Sequence, residues 1–265
     1  MNSMAPATYE DHHHQDFEKH GYVSLGQLIT DSELAALRER IDALMLGEIE
    51  TEGITFQLDG DNGEYKSISG RAVGPSEKTL AYRRIDELHH DPLFLTYMQH
   101  PLFRQITARY VGEDVSIFRS MFMNKPASRG TILPWHQDIG TGWGLDTNPF
   151  ATVWTALDDA TPETGCMQIV PGSHQLGILN EGHYTSAEDQ AAYCTDDKVV
   201  HLEARAGEAI LIHNWLLHRS GVNSTTQPRR AFSAAYMDAH SKLVKTGKTF
   251  PIIFGKNALR PRPAA

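Results

Sequence analysis

The chain has 265 residues, 40% of them hydrophobic and 22% charged. That ordinary globular composition excludes disorder, and the length allows a sizeable core without a disulfide or structural metal. With 24 basic against 33 acidic residues the net charge is −9, the wrong sign for a general binder of nucleic acid or anionic membranes.

The polar N-terminal stretch to His20 lacks the apolar segment of a secretory signal. His12, His13 and His14 are adjacent, so in a regular element they cannot all face one ion; they read as a solvated helix face or a frayed tail. Tyr22 to Ile29 looks like a short strand. Thr30 with Glu33 has the capping-box spacing, and Leu34, Leu37, Ile41, Leu44 and Met45 follow at helical intervals. Residues 49–80, rich in Gly, Ser, Thr and acids, are expected to form a substrate-covering loop or a partly ordered connection. Helical spacing returns over residues 86–111, where Pro101 opens a second helix.

From residue 115 the texture changes to short β-rich runs: 115–123, 132–138, 151–157, 166–170, 198–202, 209–213 and 231–237. Turn signals such as Asn148-Pro149, Thr164-Gly165 and Pro171-Gly172 punctuate them. The expected fold class is mostly β with flanking helices, a sandwich or barrel with the helices packed outside. No linker separates the parts, so residues 1–265 read as one domain, helical to about 111 and β from about 115 to 240. No apolar run reaches the ~18 residues of a membrane span. Cys166 and Cys194, the two cysteines, form no C-x-x-C pair and read as free thiols. A cytoplasmic protein, monomer or homodimer, with no nucleic-acid or membrane partner is expected.

Chemistry concentrates first at Trp135-His136-Gln137-Asp138. In an extended strand alternate side chains share a face, so His136 and Asp138 project together and Gln137 points elsewhere. An imidazole and a carboxylate so placed can take two adjacent positions on one metal ion. Two histidines plus one carboxylate, all on one side, would leave open positions, as in non-haem iron(II) oxygenases. Two downstream histidines compete for the third place. His213 lies inside an apolar run, and His218, before Ser220-Gly221, sits where a strand would end. Eleven residues after His218 come Arg229 and Arg230. Alternation lets only one of them face inward, and a buried arginine suits a dicarboxylic ligand. The run Gly140-Thr-Gly-Trp-Gly144 lacks nucleotide-loop spacing and reads as a mobile loop.

Together, Met121-Phe-Met-Asn-Lys-Pro126, His136-Gln-Asp138, Trp154-Thr-Ala156, Gly165-Cys-Met-Gln-Ile-Val-Pro-Gly-Ser-His174 and His218-Arg-Ser-Gly221 with Arg229 resemble the phytanoyl-CoA dioxygenase family of iron(II)/2-oxoglutarate oxygenases. The resemblance runs over roughly residues 80–240. It implies a double-stranded β-helix (jelly-roll, cupin-like) core, with iron(II) held by His136, Asp138 and His218. Arg229 would take the distal carboxylate of 2-oxoglutarate, with Gln137, Trp154, Met121 and Arg84 lining the same pocket. Trp135, Trp143 and Asp146 fall near the expected mouth, as candidate substrate contacts. His174 is expected to be a structural brace. Asp138 occupies the position that related halogenases leave to a small residue, so hydroxylation or desaturation is expected, with O₂ consumed and succinate and CO₂ released. The net charge and the lack of an obvious basic cluster disfavour a CoA ester and point to a secondary metabolite or small acid. The competing readings are an acyl-CoA hydroxylase of the same chemistry, a non-catalytic metal-binding sensor, and a zinc hydrolase using the same three ligands.

Overall fold

The computed structural model describes residues 8–261 except 51, 61–63, 66–67, 69 and 129. The chain opens with α1 (Asp11–His20), which takes in the three histidines and ends at Gly21, whose φ of 78° closes the helix in the left-handed region. A side chain at Gly21 would also collide with the His174 ring. His174 in turn lies 3.1 Å from the Glu18 carbonyl, so it braces this corner. Next come β1 (Tyr22–Gln27) and α2 (Asp31–Met45). The capping box at the head of α2 is formed: the Thr30 side chain accepts from the Glu33 N–H, and Glu33 reaches back to the Thr30 N–H. Leu34, Leu37, Ile41, Leu44 and Met45 are its buried face.

Part of the 49–80 segment is ordered as β2 (Thr55–Leu58) and β3 (Ala72–Val73), joined to β4 (Tyr82–Asp86). Other parts of that segment lie outside the described residues. Two helices follow, α3 (Pro92–Met98) and α4 (Pro101–Tyr110), each with proline in its first turn. The β-rich half contributes β5 (Val115–Lys125), β6 (Leu133–His136), β7 (Ala151–Ala156) and β8 (Met167–Ile169). A short helix α5 (Ala187–Tyr193) precedes β9 (Val200–Leu202), β10 (Glu208–His213), β11 (His218–Ser220), β12 (Arg229–Asp238) and β13 (Ile252–Phe254).

Strands β5 to β12 build two facing sheets. In one, the order is β10-β7-β12-β5, extended by β1 at one edge and by β4, β2 and β3 at the other, with β13 also on β5; the other runs β6-β11-β8-β9. This is a jelly roll. Both faces of the larger sheet are buried. Val153, Leu211, Phe232, Ala234 and Tyr236 pack on the helices, with Phe94, Leu102 and Phe103 opposite them. Trp154, Ile210, Ile212 and Ala231 face the smaller sheet with Met167 and Ile169. With both faces apolar, strands such as β7 and β10 show little polar alternation along the chain. No helix among the described residues is long and apolar enough to cross a membrane.

Candidate metal centre and co-substrate cavity

Antiparallel register places His218, the first residue of β11, directly opposite His136, the last of β6. His218 thus begins a strand rather than ending one, because the break in the chain falls at residues 214–217 before it. The two rings lie 4.0 Å apart between centroids. Asp138 follows two positions after His136 and is held by its backbone N–H donating to the Asn214 carbonyl at 2.8 Å. Its carboxylate oxygens lie 4.0 Å from His136 Nε2 and 3.7 Å from His218 Nε2.

Both imidazoles are oriented from behind. Nδ1 of His136 is 2.8 Å from the Pro134 carbonyl, and Nδ1 of His218 is 2.9 Å from that of Leu216. A carbonyl only accepts, so each Nδ1 carries the proton and each Nε2 presents a lone pair towards Asp138. Burial, then the neighbouring His218 and His183, hold His136 well below the usual histidine range. Burial raises the Asp138 carboxyl, but His218, His136 and Arg119 outweigh it and keep it ionised. Two imidazole nitrogen donors and one carboxylate converging in a buried corner fit a divalent cation.

The competing histidine, His213, sits on the other side of the larger sheet. It stacks near Phe17, Phe150 and His174, and its Nδ1 accepts from the Trp215 N–H. A further histidine, His183, does approach: its ring is 4.6 Å from that of His136, and its ligand atom joins those of His136 and Asp138 within 4.8 Å. Burial, ahead of its charged neighbours, pushes its pKa down to about 4. Nothing in a single sequence distinguishes His183 among fourteen histidines; only the return of the 178–184 stretch over β6 brings it in.

A cavity of about 770 Å³, counting the solvent at its mouth, runs between the sheets past the three residues. It is lined by Met121, Trp154, Arg84 and Arg229, as expected, and also by Met123, Met167, Arg83, Arg119, His183 and Tyr65. Tyr65 comes from the 49–80 segment, so that connection does reach the cavity. At the far end Arg229 is 4% exposed. One guanidinium nitrogen donates to the Gly165 carbonyl at 2.9 Å, while Nε has no partner. Burial pulls its pKa down to about 10. Arg230, one residue on, faces away and pairs with Asp158 and Asp42.

Lys125 and Arg83 converge on the same end. Lys125 Nζ donates to the Thr131 carbonyl and Arg83 to Gln57 Oε1. Among the described residues, none of these three cations has a carboxylate within ion-pair distance. Burial, then the charges of Arg229 and Arg83, hold Lys125 well below the usual lysine range, so the two buried guanidiniums with an ammonium or amine donor beside them suit a carboxylate ligand at this end of the cavity. Arg84 lines the cavity as expected, but its charge is paired: its Nε and Nη2 grip Asp86 at 2.7–2.9 Å. The uncommitted arginine of β4 is Arg83.

Strand alternation explains two departures, Gln137 and Trp135, and a tether to the C-terminal segment explains a third, Asp146. Gln137 is fully buried on the face opposite His136, where its amide donates to the Gly177 and Trp215 carbonyls and accepts from the Leu179 N–H. It braces the 177–179 stretch and does not line the cavity. Trp135, of the same parity, packs with Val170 and Leu217 beneath Arg219. Asp146 accepts from the Lys242 N–H and fastens the C-terminal segment, away from the cavity. Trp143 does stand at the mouth, beside His183 and over Arg119. The glycine run before it is pinned: Thr141 N–H, Gly142 N–H and Trp143 Nε1 donate to the carbonyls of Asn180, Glu181 and Gly182. At Gly140 any Cβ would collide with the Gly182 carbonyl. Finally, the expected lack of a basic cluster is overturned. Arg83, Arg84, Arg119 and Arg229 all line the cavity although they are dispersed along an acidic chain.

Comparison with known proteins bears on the family and the fold. The family model described as phytanoyl-CoA dioxygenase (PhyH) matches residues 17–231. The peroxisomal phytanoyl-CoA dioxygenase of Rattus norvegicus is 24% identical over 244 residues, covering 88% of this chain and 70% of that protein. Among solved structures, the non-heme alpha-ketoglutarate-dependent carbocyclase SnoK from nogalamycin biosynthesis superposes with a TM-score of 0.67 at 21% identity, covering 90% of this chain and 89% of that one. EctD from S. alaskensis with bound Fe gives 0.68 at 19% identity, over 91% and 84%.

Proposed function

The chain belongs to the phytanoyl-CoA dioxygenase family of iron(II)/2-oxoglutarate oxygenases, and from that premise we propose that it hydroxylates or desaturates an unactivated C–H bond of a small molecule, a small acid or secondary metabolite, within one domain. In this reading His136 and His218 hold the ferrous ion through Nε2, and Asp138 through a carboxylate oxygen. The backbone carbonyls behind each Nδ1 keep both rings in the donating tautomer. Arg229, with Lys125 and Arg83, receives the distal carboxylate of 2-oxoglutarate, and Met121 and Trp154 wall the space between. Bound there, iron and the keto acid supply O₂ activation, with succinate and CO₂ released. The protein's part is to orient the reactants and exclude water: Met121, Met123, Met167 and Trp154 give the cavity apolar walls that leave few places for a competing water.

The observation that carries this reading is the convergence of two backbone-oriented imidazoles and one carboxylate at the wall of a cavity whose far end holds unpaired cations. An acyl-CoA substrate is the second reading, favoured by the arginines at the mouth. The test is anaerobic loading with Fe(II) and 2-oxoglutarate followed by O₂ and a substrate panel. Substrate-dependent succinate supports the oxygenase reading. Binding without any succinate would identify a sensor, and O₂-independent turnover with zinc a hydrolase.

A further inference from the structure

The mouth of the cavity contains a cation that the chemistry above does not use. Strand β5 pairs with β12 in regular register as far as Arg119 opposite Ala235, then slips, with Ile117 opposite Tyr236. Phe118 is the extra residue of a bulge. Along β5, Phe122 faces the helices and Met121 and Met123 face the cavity; beyond the bulge the parity reverses, and Ile117 and Val115 face the helices. Arg119 keeps the parity of Met121 and Met123 and faces the cavity, and the bulge turns Phe118 to the same side beside it, the re-aiming that bulges commonly perform beside active sites.

Arg119 sits against two rings that stack on each other, its guanidinium carbon 4.9 Å from the Phe118 centroid and 4.4 Å from that of Trp143, with the two centroids 5.8 Å apart. The cation–π contacts hold the guanidinium against the rings while its N–H groups remain available to a ligand. Among the described residues those groups make no hydrogen bond. Their one ionic contact is Asp138 Oδ1, 3.6 Å from Nη1. The other mouth arginines are committed, Arg84 and Arg71 both to Asp86. With the centre loaded, Asp138 is shared with the metal, and Arg119 remains a rigid, desolvated cation without a full counter-charge.

Resting on the oxygenase reading, we propose that Arg119 determines specificity by pairing with a carboxylate on the substrate, which is therefore a free acid. Its apolar portion would lie against Phe118 and the adjacent Phe250, whose rings are 5.7 Å apart. Because the guanidinium also borders Asp138, the C–H bond oxidised lies close to that carboxylate.

The test uses the full chain loaded anaerobically with Fe(II) and 2-oxoglutarate, whose visible absorption band reports binding near the metal without turnover. Probes are aliphatic, aromatic and amino acids, their methyl esters and their CoA thioesters. Free acids should perturb the band and drive succinate release, with esters weaker by about 10- to 100-fold, the effect of losing a charge-assisted hydrogen-bonded pair. Arg119→Gln should lose the same factor for acids, erase the acid-over-ester preference, and keep wild-type affinity for Fe(II) and 2-oxoglutarate; Arg119→Lys should recover part of it. Equal binding of acids and esters, or a preference for CoA thioesters, would overturn the proposal. So would an Arg119→Gln protein that weakens Fe(II) binding in parallel, which would make Arg119 a support for Asp138. If Arg119→Gln does not fold, the wild-type comparison of acids with esters decides. No absorption band in the wild type would sink the oxygenase reading and this proposal with it; a band that no acid perturbs sinks this proposal alone.

Discussion

Replacing Arg229 by methionine separates its two roles, ligand for an anion and member of a packed interior. In the ligand-free protein the guanidinium is 4% exposed, makes one hydrogen bond to the Gly165 carbonyl and leaves Nε unpartnered. Keeping an uncompensated cation there costs stability, so an apolar side chain of similar length relieves a desolvation penalty of a few kcal/mol. It also forfeits about 1 kcal/mol for the orphaned carbonyl. The ligand-free melting temperature should therefore stay within about 2 °C of wild type or rise. Binding behaves oppositely. Two charge-assisted hydrogen bonds to the distal carboxylate are worth about 1.5–3 kcal/mol each. Their loss weakens 2-oxoglutarate by at least ~100-fold, with Lys125 and Arg83 sparing the rest. The assay is thermal unfolding with Mn(II) as a redox-inert metal, with and without 2-oxoglutarate at 100 times the wild-type Kd. Wild type gains about 2.7 kcal/mol from ligand, or about 5 °C or more for a chain of this size; Arg229→Met should gain almost nothing. A persistent ligand-induced rise would refute the reasoning. So would a ligand-free loss above about 5 °C, which would make Arg229 a strut for the Gly165 turn.

Asp138→Ala should weaken divalent-metal binding, measured by calorimetry, by more than the roughly 10–100-fold typical of an outer hydrogen-bond partner, while His213→Ala leaves the affinity unchanged; the reverse ranking would reassign the centre. Burial, then His174, depresses His213 to about 3. Its folded value thus lies below the unfolded ~6.5, and the unfolded chain binds the proton first. Its contribution is complete above about pH 7 and is lost as pH falls from ~6.5 towards 3. His213→Gln should flatten the acid limb of urea-unfolding stability by up to about 1.4 kcal/mol per pH unit; an unchanged slope would show that His213 titrates normally. Gln137→Leu strands the Gly177 and Trp215 carbonyls and the Leu179 N–H, so a loss of about 3 kcal/mol or more is expected in urea unfolding. Unchanged stability would mean water replaces the amide.

Local signals in the chain carried far. The Thr30–Glu33 box and the leucines behind it specify α2 because both depend only on neighbours three or four residues away. The spacing of His136 and Asp138 puts both carboxylate and imidazole on one side by alternation, although β6 ends at His136, short of the expected 138, and a bond from the Asp138 N–H to the Asn214 carbonyl holds the last step. That same alternation also placed Gln137 on the far face, against its assignment to the pocket by resemblance. Strands β2, β4, β11 and β13 went unread: they are short, and their stability comes from partners distant along the chain rather than from composition. The 49–80 segment yielded only ambiguity, yet it supplies Tyr65 to the cavity.

The sequence alone therefore determined that His136 and Asp138 project together, that one arginine of the pair at 229–230 faces inward, and that a β core carries helices outside. Tertiary structure decided the rest. Pairing of β6 with β11 brings His218 opposite His136 while His213 stays behind the larger sheet. Asp86 commits Arg84, leaving Arg83 beside Arg229, and a slipped register in β5 sets Phe118 beside Arg119 at the mouth. The physical reason is common to all of these. The direction of a side chain follows from its local backbone, but its chemical partners, and hence whether its charge is spent or free, follow from what long-range pairing places beside it.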